Sequence, residues 1–303
     1  MVIQALNAER LQMEREGSVS DAEGNHNEIV SDIWKASNKR QFLDTLDSID
    51  NFSTFLENEL NRLIRALEIY IAYFIQNIDI TQKSLDIEKL NPDHVLSFNY
   101  SNTYERVYGK GKYICYNYIH GKAFTENTLE SCNLVLGIDE YWNDDRKDVN
   151  LEFLSFKKYY QRIYKSTDNE YLNWVDKIKD EYNEYIRKIK IAYEKEDPSL
   201  FIKRIPWRSE TSLDLSKIRY PQHTLYIFGH SLDVTDKDVL KLLICNDNVQ
   251  TKIYYYRKSE YDKRTLAKLI KNLIKIIGQE ELIRRTGGPH KTIEFIPQTI
   301  SEN

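Results

Sequence analysis

The sequence predicts an α/β fold in which a mostly parallel sheet carries large helical elaborations. Two observations lead there. Three segments, Leu96-Ser-Phe-Asn-Tyr-Ser-Asn-Thr-Tyr-Glu105, Tyr118-Ile-His-Gly121 and Leu225-Tyr-Ile-Phe-Gly-His-Ser-Leu-Asp-Val-Thr-Asp236, are apolar runs that stop abruptly at small, polar or ionisable residues. Strands of an open α/β sheet end this way where they open into a ligand crevice. The second observation is the strand, helix, strand succession between Thr224 and Tyr256, a βαβ unit whose strands pair in parallel.

Residues 1–30 are polar and Glu-rich, and Gly17, Ser18, Ser20, Gly24 and Asn25 interrupt any helical run. From Phe52 to Ile78, Leu56, Leu60, Leu63, Ile64, Leu67, Ile71, Phe74, Ile75 and Ile78 recur at three- and four-residue spacing. That is an amphipathic helix, with Ser53 as its expected N-cap. After Pro92, His94–Phe98 reads as a strand, and a short helix runs to Tyr108, capped by Ser101 or by Asn102, the latter forming a capping box with Glu105. Tyr113–Ile119, aromatic and β-branched, is expected as a strand ending at His120-Gly121, and Asn133–Gly137 as another.

Residues 151–195 are helical again, with Tyr171, Val175, Ile178, Tyr182, Tyr185 and Ile189 forming a packing seam. An antiparallel helical hairpin inserted in the core is the expected form. After a loop-rich return from Pro198 to Pro221, strands at 224–228 and 250–256 flank a helix over 236–244 that Thr235 caps. Leu266, Leu269, Ile270, Leu273 and Ile277 mark a last helix over 264–283. The expected organisation is therefore a polar lead-in and helical segment at 1–91, core at 92–150, helical insertion at 151–221, and core with a C-terminal helix at 222–303.

Composition narrows the function classes. With 41% apolar and 30% charged residues the chain reads as an ordinary globular protein. A net charge of −4 gives nucleic acid no general attraction, so it is disfavoured as a partner. Cys115, Cys132 and Cys245 are odd in number and contain no CxxC pair, which argues against a disulfide framework and a four-cysteine zinc site. Neither a secretory leader nor an apolar run of about 18 residues is present, so a cytoplasmic protein without a membrane partner is expected. Self-association is left open.

The strand ends supply the candidate site. Asn99 and Tyr100 follow one apolar run, and His120 and Gly121 another. Gly229, His230, Ser231 and Asp233 form a turn at the third, before a helix start that suits phosphate oxygens. Each has a bland alternative: Asn99 bonding its own loop, His120 packing in a core, His230 and Asp233 stabilising a turn. Acidic Asp139, Glu140, Asp144 and Asp145, or Asp233, Asp236 and Asp238 with His230, resemble metal-binding runs. The second set is accounted for as helix-start carboxylates, and no metal is assigned. Gly229-His-Ser-Leu-Asp lacks the second glycine of a serine-nucleophile elbow.

These same residues resemble the AbiH family of bacterial abortive-infection proteins. The resemblance rests on Phe98-Asn-Tyr-Ser-Asn-Thr-Tyr-Glu105, Ile119-His-Gly121, Gly137-Ile-Asp-Glu140 and Phe228-Gly-His-Ser-Leu-Asp-Val-Thr-Asp-Lys-Asp238, over about residues 92 to 260. It implies phage defence, triggered by an unidentified phage component. More distantly the order is similar to the Rossmann-like, NAD-binding sirtuin fold. That likeness implies a nucleotide ligand, NAD, with Asn99 on the nicotinamide side, His120 as catalytic histidine, and Gly229 with Ser231 meeting the dinucleotide. The sirtuin zinc module has no counterpart, so the implied chemistry is NAD hydrolysis. A non-catalytic nucleotide sensor is the alternative, and a metal-dependent nuclease a weaker one. Nothing in residues 1–50 matches the family's Gly-Asn-Gly-Phe-Asp-type phosphate turn, which points to a chain that has lost that element or begins after it. Asn99, His120 and Ser231 are expected to face one cavity.

Overall fold

The structure is a computed structural model and describes residues 49–137, 151–196, 220–257, 259, 262–288 and 291–299. Among them the fold is mixed α/β, with five strands in two small parallel sheets and eight α-helices. The chain divides into two compact units, one holding 49–81 with His94–Asp168 and the other Gln82–Asp93 with 169–299. The helical region expected as an insertion at 151–221 is divided between them.

In the first unit, helix α1 spans Ile49–Tyr73 and a 3-10 turn follows at Ile75–Asn77. Ser53 is not its cap: it lies inside the helix and is buried. Strand β1 (His94–Ser97) pairs in parallel with β2 (Cys115–Tyr118), and α3 (Thr103–Val107) lies between them in sequence. Helix α4 covers Lys158–Tyr164. The core gathers Ile64, Ile71, Ala72, Ala123, Cys132 and Leu134, with Tyr100 and Leu136 packed against it.

Among the described residues, 133–137, expected as a strand, pair with no strand. Their carbonyls are claimed by side chains instead: Lys165 Nζ donates to Leu134 at 2.8 Å, Tyr100 Oη to Val135 at 2.6 Å, and Gln161 Nε2 to Leu136 at 3.3 Å. Among the described residues, the β1–β2 sheet gains no third strand from this segment. The expected mostly parallel sheet is, among the described residues, two parallel sheets, one of two strands and one of three.

The second unit holds α2 (Leu85–Glu88), α5 (Tyr171–Glu196), β3 (His223–Ile227), α6 (Lys237–Ile244), β4 (Val249–Tyr255), α7 (Arg264–Ile277), α8 (Gln279–Thr286) and β5 (Ile293–Pro297). The expected βαβ unit is present, and β4 pairs in parallel with both β3 and β5. Val249, Thr251 and Ile253 alternate into the core on β4 with the pleat. The expected helix over 264–283 breaks at Gly278, whose φ of +86° ends α7 and starts α8. Asp86 accepts from the Thr299 N–H at 2.7 Å and its hydroxyl at 2.8 Å, which ties α2 to the residues after β5. Buried Asn248 donates to the carbonyls of Ile178 and Pro221, joining α5 to the start of β3.

Candidate functional site

The parallel register sets Ser97 of β1 opposite Tyr118 of β2, and the Ile119 N–H donates onward to the Ser97 carbonyl at 3.0 Å. Both strands therefore release the chain at the same edge, with Asn99 and His120 each two residues past the last pair. Ser97 Oγ accepts the Asn99 N–H at 3.2 Å and donates to its carbonyl at 2.9 Å, so the Ser97 hydroxyl closes the turn on the Asn99 backbone, and Asn99 is exposed. His120 is only 5% exposed, edge-on to Phe98 at 5.7 Å between ring centres, and its carbonyl accepts the Val135 N–H.

Tyr100 and Gly121 have structural duties at this edge. The Tyr100 hydroxyl is held by Val135, and its carbonyl accepts the Ala123 N–H at 2.9 Å. Gly121 has φ +85°, and a Cβ there would press into the Asn133 backbone. Only glycine meets both conditions without strain.

In the second unit, β3 ends in a turn with two left-handed residues, Gly229 (φ +64°) and Leu232 (φ +54°). Leu232 is fully buried, while Gly229 and Ser231 are exposed and a Cβ on Gly229 would meet nothing within 4 Å. His230 braces the turn: its Nδ1 accepts the Leu232 N–H at 2.9 Å, which assigns the ring proton to Nε2, 3.4 Å from Asp236 Oδ2. Asp233 Oδ1 accepts the Thr235 N–H at 3.1 Å, and Asn272 Nδ2 donates to the Ser231 carbonyl at 2.8 Å. Asp233 thus caps a 3-10 turn, Val234–Asp236, that leads into α6, and Thr235 lies inside that turn instead of serving as the N-cap. Asp236 belongs to this arrangement as the partner of His230.

Beside the first edge the structure adds residues not singled out as site members. Glu105 makes no capping box with Asn102, because its Oε2 is taken by Lys122 Nζ at 2.7 Å and Tyr118 Oη at 3.2 Å. Lys122 also lies over the Tyr118 ring, 5.1 Å from its centre. Burial first, then the Glu105 carboxylate, pushes the Tyr118 phenol far above its ordinary range. On β2, Asn117 is fully buried with neither amide atom hydrogen-bonded, a costly state for an amide. Only the capping-box signal of Glu105 hinted at any of this; a buried Asn within a strand has no local signature.

No three His, Cys, Asp or Glu come together as a metal would require among the described residues. The Asp139–Asp145 acidic run and the Ile138–Glu140 step lie outside those residues. An open hollow of about 460 Å³, lined by Ser259, Asp262, Lys263, Arg264 and Ala267, sits at the start of α7 and includes none of the candidate side chains. Among the described residues no helix is long and apolar enough to cross a membrane.

No curated protein and no solved structure matches the chain. One family model does. The strand-end segments at 96–105, 118–121 and 225–236 all fall inside the match, which runs over residues 13–256 and is described as bacteriophage abortive infection AbiH. Covering most of the chain, it settles that this protein belongs to the AbiH family of phage abortive-infection proteins.

Proposed function

We propose that this phage-defence protein binds a nucleotide, NAD, and cleaves its N-glycosidic bond. One observation carries the reading: β1 and β2 exit at one edge, with Asn99 and His120 at equivalent distances beyond the paired Ser97 and Tyr118. A Rossmann-like, sirtuin-like relation of the strands belongs to the same proposal.

Hydrolysis breaks the bond between the ribosyl carbon and the nicotinamide nitrogen, which leaves with the electron pair while a water oxygen bonds to the carbon. His120 takes the water proton or withdraws one from a ribose hydroxyl, work suited to an imidazole near neutral pH. Asn99, exposed at the turn, orients the carboxamide or the water. Tyr100 and Gly121 shape the edge. Within the other unit, the Gly229–Ser231 turn, held in form by His230 and Asp233, is a separate candidate contact for ribose or phosphate oxygens. The openness above Gly229 suits close approach of a ligand to the main chain.

A second reading, a sensor that binds nucleotide and turns nothing over, is favoured by the burial of His120. NAD consumption by purified wild-type protein and His120→Ala separates the two. Product from the wild type alone supports hydrolysis by His120. Equal rates remove His120 from the mechanism. Calorimetric binding without product supports the sensor, and the absence of both turnover and binding defeats the nucleotide reading.

A further inference from the structure

We infer that Glu105 is a ribose-binding residue, its Oε1 accepting a hydrogen bond from the 2′-hydroxyl of the ligand's nicotinamide ribose. The inference rests on the nucleotide reading above and adds the sugar subsite. The carboxylate is used asymmetrically. Oε2 receives both Lys122 Nζ at 2.7 Å and Tyr118 Oη at 3.2 Å, whereas no hydrogen bond from the described residues reaches Oε1. The side chain is 41% exposed. An ion pair that served stability alone would gain little at such exposure, and it would not need a second donor on the same oxygen.

Position supports the assignment. Glu105 lies on α3, which follows the Asn99 turn, and its two donors come from the last residue of β2 and from the residue after Gly121. The carboxylate is therefore bonded to chain on both sides of His120. Two donors on Oε2 fix the side-chain torsions and leave Oε1 as a preoriented acceptor. A carboxylate at a strand-end crevice recognises a ribose by accepting from its hydroxyls, and the charged acceptor makes such a bond stronger than a neutral one.

The test compares two ligands on two proteins. NAD and an NAD analogue lacking the 2′-hydroxyl of the nicotinamide ribose are titrated calorimetrically into the full chain, wild type and Glu105→Gln. A single hydrogen bond to a charged group predicts that the wild type binds the analogue roughly ten- to a hundredfold more weakly than NAD. In Glu105→Gln that discrimination falls to a fewfold. Loss of folding would weaken both ligands equally, so the ratio reports recognition and not stability. Wild-type binding of NAD without discrimination, or discrimination retained in Glu105→Gln, overturns the assignment alone. A wild type that binds neither ligand overturns both the assignment and the nucleotide reading.

Discussion

Gln161 holds Leu136 by both its backbone groups: Gln161 Oε1 accepts the Leu136 N–H at 3.0 Å and Gln161 Nε2 donates to the Leu136 carbonyl at 3.3 Å. A single buried amide on α4 thus does for this residue what a neighbouring strand would do. The same Nε2 also reaches the Ser155 carbonyl at 3.0 Å. Replacing Gln161 with Leu leaves those backbone groups buried and unpaired, at about 2–4 kcal/mol. Urea unfolding of Gln161→Leu is expected to show that loss.

The two turn glycines differ in what surrounds them. Gly121 combines φ +85° with contact against the Asn133 backbone, whereas Gly229 has φ +64° and open space. Gly229→Ala is expected to cost about 1–2 kcal/mol, the backbone preference alone. Gly121→Ala is expected to exceed about 3 kcal/mol, because the chain at Asn133 must also move. Thermal melts of the two variants check the order.

Arg285 is 2% exposed and spends its guanidinium on Glu281, Asp247, Thr292 and the carbonyls of Cys245 and Asn246. It joins α8 and the approach to β5 to the turn between α6 and β4. Removing it as Arg285→Ala strands a partly buried carboxylate and several carbonyls, at about 3–5 kcal/mol. Arg285→Lys is expected to recover only a small part, since an ammonium cannot reproduce the planar fork. Denaturant titration of both variants measures the difference.

Glu68 is the fully buried carboxylate of α1. Burial pushes its carboxyl upward, yet hydrogen bonds from Cys132, Asn127, Arg65 and the Phe124 N–H together hold it below its ordinary value of 4.5. Its ionised form therefore contributes stability in full above that unfolded-state value, and the contribution is lost as pH falls through the folded one. Between about pH 5 and about pH 3 the wild type is expected to lose more stability than Glu68→Gln. Parallel slopes would show that Glu68 is not held below its ordinary range.

Cys132 shares this cluster. Burial, then its hydrogen bond to Glu68, raises the thiol to about 11, so almost no thiolate exists at mildly alkaline pH. Native protein treated with iodoacetamide at about pH 8 is expected to leave Cys132 unmodified, and unfolding in urea to expose it. Peptide mass mapping reads the outcome.

Much of the architecture was legible because periodicity records which face is buried. The α1 stripe, the βαβ unit over 223–255 and the strand ends at Ser97, Tyr118 and Ile227 follow from it. Asn99 and His120 were legible as strand-end residues for the same reason. Strand β5 was not expected, although Ile293, Phe295 and a terminal Pro297 after two glycines carry a short strand-like run. Glu105 was read as a capping residue because the rule for caps is local, whereas Lys122 lies 17 residues away.

The sequence by itself determined the α1 stripe, the βαβ unit, the strand ends at Ser97, Tyr118 and Ile227, and to which family the chain is similar. Only the tertiary structure decided which backbone groups meet: that 133–137 is satisfied by Gln161, Lys165 and Tyr100 and not by a strand, and that Glu68 and Arg285 are buried with partners drawn from distant segments. The reason is physical. Local pattern encodes a preference for burial or for a dihedral region, but a hydrogen bond between residues dozens of positions apart depends on the packing that brings them together.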